Sequence, residues 1–339
     1  MHFSEVSSAR FFVANTGGED GIARGITVSG NDFHGSIEGA ISPHAQGYDI
    51  AIIGNHISDS NMGPFPRGTY MPSKAIILPL ALDQFVTHSF LGVGIVSRSP
   101  NTVISGNTVV NWGEPNTSTV TGTISMQCAI YSTELGGTNL IVKDNTLLYD
   151  GDRYRGLING QKIYGTAVEI NGLISDDGQV EFANEYVVIE GNTISGLPGG
   201  GAGIAVGFAT AGAGVVTPAA SPFAPMVLRV ERNSILAPTH YDQISITGDQ
   251  ERTRGSVKGN TLHVAGAASR QISAVSLRSL NVQGNAFGSA EESTAGGGLM
   301  AFSNISTLRV SGNELAAEVA GCIVASVSNV TAHSVQSCT

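Results

Sequence analysis

Among the 339 residues, Glu169 has the setting best suited to proton transfer. It lies in Ala167-Val168-Glu169-Ile170-Asn171, where apolar residues alternate as on one face of a strand, so its carboxylate stands on stiff backbone. Two further carboxylates, Asp152 and Asp177, fall in polar segments on either side: Tyr149-Asp150-Gly151-Asp152-Arg153-Tyr154-Arg155 and Asp176-Asp177-Gly178-Gln179. Hydrolysis of a glycosidic bond needs two carboxylates, about 5 Å apart for retention or roughly 6.5–9.5 Å for inversion. Glu169 with Asp152 or Asp177 is the candidate pair. Elimination next to a uronate needs one base and a cation that holds the developing negative charge. Arg98, Arg153 or Arg155 would supply that cation, with Tyr131 or Tyr154 as proton donor. Trp112, Arg153, Tyr154, Arg155, Asn171 and Lys162 complete a substrate-binding set. Rings pack on pyranose faces, while charged and amide groups bind hydroxyls or uronates.

Other chemistries find less support. The eight histidines, among them His34, His56 and His240, show no ligand-like spacing, and no metal site or resident cofactor is expected. Calcium at Asp150-Gly151-Asp152 is the one alternative, on a motif that is mostly a turn. Three cysteines do not make a disulfide framework; Cys322 and Cys338 either staple the last coil or stay as buried thiols. A net charge of −10 without a basic cluster argues against nucleic acid and acidic membrane surfaces. Apolar runs such as Ala75-Ile76-Ile77-Leu78 are far shorter than the roughly 18 residues of a membrane span. The start, Met1-His2-Phe3-Ser4-Glu5, has neither the charge nor the apolar core of a signal peptide.

These residues are positioned by a repeat. Asn31, Asn55, Asn107, Asn145, Asn192, Asn233, Asn260, Asn285 and Asn313 each have a Val or Ile three positions before and an apolar residue two positions after. Glycine precedes seven of the nine; Asp144 and Arg232 are the exceptions. Each unit reads as a short strand, a Gly-Asn corner and a second short strand. The closest spacings, 24 to 28 residues, hold about three strands of five with their corners, which is one coil of a solenoid. Stacked coils would set each asparagine about 4.8 Å from the next, where the amides form a ladder. The expected architecture is all-β: a right-handed parallel β-helix of about ten coils, one domain over residues 1–339. Asn329 would open a last, degenerate unit.

The wider spacings, up to 52 residues, place insertions in coils between residues 58 and 225. They fall at 58–91, 111–126, 148–164, 172–184 and 196–225. Interruptions of a solenoid become loops, frequently on its binding face. The strands that follow align Ile95, Ile130, Val168, Ile204 and Ile244 inward. One outward row is then Val96, Tyr131, Glu169, Ala205, Ser245, and its neighbour is Arg98, Thr133, Asn171, Gly207, Thr247.

The Val-x-Gly-Asn-x-Ile unit resembles the repeat of the pectate-lyase-like superfamily of right-handed parallel β-helices, over nearly the whole chain. That resemblance implies a glycan bound along one outer sheet. The catalytic signatures of individual members are absent: there is no Gly-His-Gly, Arg-Ile-Lys, Arg-x-Pro-x-x-Arg or Asp-Pro-His-Asp, and Asp176-Asp177-Gly178 echoes only one element. The expectation is therefore an extracellular or virion-associated protein that binds and cleaves a polysaccharide or oligosaccharide, as a lyase or a glycoside hydrolase. The alternative is a non-catalytic glycan-binding or structural module of a phage tailspike or adhesin. Both helix ends read as bare sheet edges, for which a homotrimer or an additional chain would provide cover.

Overall fold

The computed structural model describes residues 11–15, 23–34, 39–43, 47–60, 93–97, 101–112, 128–134, 139–149, 157–158, 161–162, 166–174, 180–182, 185–197, 202–211, 214–216, 225–236, 242–263, 270–288, 299–315 and 324–335. Every regular element among them is a strand. The strands stack in three parallel columns, so the chain is a parallel β-helix. The first column runs from Phe11–Asn15 through Gly39–Pro43, Val93–Ser97, Cys128–Glu134, Thr166–Ile174, Ile204–Ala211 and Ile244–Thr247. It continues in the opening halves of Ile272–Gln283 and Met300–Ser311 and ends at Val324–Ser328. The second column runs from Thr27–Ser29 to Ala332–Val335. The third is a nine-stranded sheet from Asp32–His34 to Glu314–Leu315.

The asparagines stand at the corner between the second and third columns. In each step the backbone N–H and the Nδ2 of one asparagine both donate to Oδ1 of the next, at 2.9–3.1 Å and 2.8–3.0 Å. The second Nδ2 hydrogen goes back to the carbonyl of the apolar residue that opens the preceding bracket. Asn192 donates in this way to Val142 and Asn233 to Ile189. An interior rung thus fills both lone-pair directions of its Oδ1 and both hydrogens of its Nδ2, which is what permits a polar group in an apolar rod. The nine amides are buried, 0–8 % exposed.

The residue before each asparagine is left-handed in all nine coils, with φ between 54° and 66°. At Gly30, Gly54 and Gly106 an added Cβ would meet open space, so backbone conformation and not room selects glycine there. Asp144 and Arg232 adopt the same conformation at φ 54° and 56° with side chains directed outward, and Arg232 reaches the Glu190 carboxylate.

The bracketing apolar residues fill the interior: Ile52, Ile104, Ile189, Ile57, Val109 and Ile194 are all fully buried. At the corner between the third and first columns the residues are small for a steric reason. A Cβ on Gly94 would lie 2.8 Å from Val109 Cγ1, and one on Gly203 the same distance from Ile235 Cδ1.

The opposite corner carries a second, exposed ladder. Asn101 donates to Asp49, and Asn329 donates to Asn304 at 3.0 Å. Asn329 is therefore not a further rung of the interior ladder. It turns the chain from the first column into the second at φ 52°.

The two ladders predict different sensitivities. Asn192→Ala strips partners from the Asn145 N–H, the Asn145 amide and the Val142 carbonyl, all buried. It should lower stability by about 3–5 kcal/mol. Asn329→Ala at the exposed ladder should cost no more than about 0.5 kcal/mol. Urea unfolding of the two variants beside wild type measures the contrast.

Candidate functional site

Every expected insertion enters at one of the two corners that bound the first column. The segments after His56–Ser60, Thr108–Trp112, Thr146–Leu148 and Thr193–Ser195 lead from the third column to the first; those after Thr166–Ile174 and Ile204–Ala211 lead from the first to the second. The Asn corner receives none. Parts of these insertions pair antiparallel with the ends of first-column strands: Leu173 with Phe182 and Ala209 with Val216. The first column is thus the one with long excursions at both of its corners.

On that face the register is the expected one. Val96 pairs with Tyr131, Tyr131 with Glu169, Glu169 with Ala205 and Ala205 with Ser245, and the row continues to Ser273 and Ala301. Ile95, Ile130, Val168, Ile204 and Ile244 point inward and are fully buried. The second outward row breaks. Asn171 pairs with Phe208 and not with Gly207, because the strand bulges there. Gly207 is left-handed at φ 84°, and a Cβ on it would lie 1.8 Å from the Thr247 carbonyl oxygen.

The structure brings Glu169 to an unforeseen partner. Cys128, in the preceding coil, is buried and donates its Sγ–H to Glu169 Oε2 at 3.2 Å. Burial, the Glu169 charge and this hydrogen bond hold the thiol well above its ordinary value, outweighing a backbone hydrogen bond at Thr166 that lowers it. Cys128 is therefore a neutral donor that fixes one carboxylate oxygen, not a nucleophile.

A second, half-buried acid, Asp242, lies two coils further on. Asp242 hydrogen-bonds Ser273 in the following coil, and Ser273 Oγ meets Ser245 Oγ at 3.1 Å. Burial raises the Asp242 carboxyl above its ordinary value, against the Ser273 hydrogen bond and the Arg270 charge. Two coil spacings separate Glu169 from Asp242 by about 10 Å along the axis. Their carboxyl groups also turn apart, one toward Cys128 and the other toward Ser273. That exceeds both separations used in glycoside hydrolysis, so Asp242 is not the partner of Glu169.

Two expectations are corrected. Trp112 is not on a loop facing a ligand. It ends a third-column strand, is 0 % exposed, and meets Tyr149 edge-to-face at 5.4 Å between ring centroids. Burying so large a ring in the core is worth more than leaving it in water. Tyr131 holds its place in the row but is 1 % exposed, so it walls the site and does not present a free hydroxyl to solvent. Lys162 lies in a short antiparallel pair, Gln161–Lys162 against Leu157–Ile158, which is not paired with any of the three columns. Arg98, Asp152, Arg153, Tyr154, Arg155 and Asp177 lie outside the described residues, as do Asp150, Cys322 and Cys338. Among the described residues no cluster of three His, Cys, Asp or Glu side chains is placed to hold a metal.

Cys128, Asp242 and Ser273 were missed by sequence reading, although a partial signal existed. Cys128 and Asp242 each stand two residues before an inward isoleucine, Ile130 and Ile244, so extending the strand alignment leftward places them in one row. Their diagonal reach to the next coil is a side-chain matter that alignment does not carry. No protein-family model, curated protein or solved structure matches the chain.

Asp242 yields a pH prediction. Its folded pKa lies above the ordinary 3.8, so above that pH the folded state holds a proton that the unfolded state has lost. Its contribution to stability is fully present below about pH 3.8 and falls as pH rises through the folded value. Asp242→Asn removes the fall: the variant should melt with wild type below pH 3.8 and higher than wild type at neutral pH. A lower melting temperature at neutral pH would show that Arg270 more than offsets the burial.

Proposed function

We propose that this chain is a carbohydrate-active β-helix protein that binds a polysaccharide along the first-column face and cleaves it there, with Glu169 as the acid–base group. One observation carries the reading: the insertions lie at both corners of this column and none at the Asn corner, and its outer row presents a half-buried carboxylate that accepts the Cys128 thiol. The thiol hydrogen bond fixes the orientation of the carboxylate, and a strand in the middle of a stack cannot drift. The asparagine unit, which resembles that of the pectate-lyase-like superfamily, supports the same conclusion.

Among the described residues the face supplies one suitable carboxylate. That meets the demand of elimination for a single base more directly than the demand of hydrolysis for two. In elimination Glu169 would take the proton α to a uronate carboxylate, and an arginine from the flanking segments would hold the enolate-like charge. Hydrolysis would require Asp152 or Asp177 as the second acid. A second reading, glycan binding without cleavage, is favoured by the Cys128 contact, since a neutral thiol supplies no second catalytic carboxylate.

The test is a panel of uronan and neutral polysaccharides. Elimination gives products whose new double bond absorbs in the ultraviolet; hydrolysis gives reducing ends. Glu169→Gln should cut turnover by about 100-fold or more, since an amide can neither give nor take the proton. Undiminished turnover in that variant would remove Glu169 from the chemistry. Silence of wild type on every substrate would leave the binding-only reading.

A further inference from the structure

The outer row of the first column holds two hydroxyls in adjacent coils, and both lead to one acid. Ser245 pairs with Ser273, with Ala205 in the coil before them and Ala301 in the coil after. Ser273 donates its single O–H to the Asp242 carboxylate. Its lone pairs are then what the Ser245 hydroxyl can address, at 3.1 Å between the Oγ atoms. The result is a directed chain from Ser245 through Ser273 to Asp242. Its members differ in access. Ser273 is 8 % exposed, whereas Ser245 is half-buried. The inner link is shielded, and the outer hydroxyl can meet a ligand. The core has no need of these hydroxyls, since Ile244, Ile246, Ile272 and Ala274 fill it from the same two strands.

We propose that Ser245 is a nucleophile toward esters of small acyl groups, such as acetate, activated through Ser273 by Asp242 as the base. In the first step Ser245 Oγ bonds to the ester carbonyl carbon. Its proton passes to Ser273 Oγ while the Ser273 proton passes to the Asp242 carboxylate. The bond from the acyl carbon to the ester oxygen then breaks, and the departing alcohol takes the proton back along the same chain. Water repeats the sequence on acyl-Ser245: its oxygen bonds to the acyl carbon, its proton goes by way of Asp242 to Ser245 Oγ as that oxygen leaves, and the carboxylic acid is released. Burial raises the Asp242 carboxyl, so its carboxylate takes a proton more readily than an exposed aspartate does. Arg270, whose charge is felt at Asp242, is the cation on hand for the charge that develops on the attacked carbonyl. The alanines on either side leave room in the row for a small acyl group and offer nothing to grip a long one. This activity is separate from cleavage at Glu169, which stands two coils from Ser245.

The experiment treats the full chain with a fluorophosphonate, which bonds to activated serines, and locates the adduct by peptide mass spectrometry. Hydrolysis of p-nitrophenyl acetate is followed alongside. The adduct should lie on Ser245, and Ser245→Ala should abolish both adduct and hydrolysis. Ser273→Ala cuts the relay and leaves the nucleophile in place. It should lower kcat and the labelling rate by about 100-fold with KM little changed. Ser273→Thr keeps a hydroxyl at that point and should restore most of the rate. Asp242→Asn should fall as Ser273→Ala does, again in kcat and not in KM. A merely structural role for Ser273 and Asp242 would not produce that split or the rescue by threonine. Absence of an adduct on wild-type Ser245, or labelling and hydrolysis at full rate in Ser273→Ala, would overturn the proposal. The wild-type labelling site needs no variant to fold.

Discussion

A carboxamide hydrogen-bonded to the carboxamide above it is the interaction on which this molecule depends. From Asn31 to Asn313 the same side chain sits at the same corner, and each Oδ1 after the first takes two donors from the coil before it. Such an amide is tolerable in an apolar interior only when its partners are fixed. The ladder therefore sets the register of each coil on the last, because a slip by one residue would orphan two donors and an acceptor at once. Carbonyls of Val28, Ile52 and Ile104 join the same network, so the residues that build the hydrophobic wall also complete the polar one.

This constraint decides where variation is allowed. The Asn corner has no room for an added residue, because backbone and side chain both serve the ladder there. The other two corners only have to return the chain to its column, by two residues or by thirty. Insertions accumulate at those corners and bracket one face, with Glu169 fixed on it by Cys128. The second column, which shares one corner with the ladder, keeps an unbroken register from Thr27–Ser29 to Ala332–Val335.

The architecture was legible because the ladder repeats one residue type in one bracket, and because inward isoleucines such as Ile130 and Ile204 align without gaps. The row holding Glu169 followed from the same alignment. The bulge at Gly207 was not legible, since a glycine in a strand does not announce which residue it displaces. Trp112 was misplaced because an aromatic beside an insertion reads as a recognition residue, whereas here it closes the core against Tyr149. Asn329 was misassigned because two corners both favour asparagine, one for its buried amide and one for its tolerance of positive φ. The Cys128–Glu169 contact spans 41 residues and depends on which way two side chains lean, and no residue pattern encodes that.

The most direct test of the central claim is solution NMR on isotope-labelled protein, detecting scalar couplings across hydrogen bonds from each asparagine Nδ2 to the carboxamide carbon it addresses. The account predicts eight such couplings that link the nine side chains in one unbroken series from Asn31 to Asn313, with slow exchange of their amide hydrogens. A spectrum in which these amides exchange freely, or in which couplings connect asparagines that are not neighbours in the series, would contradict it.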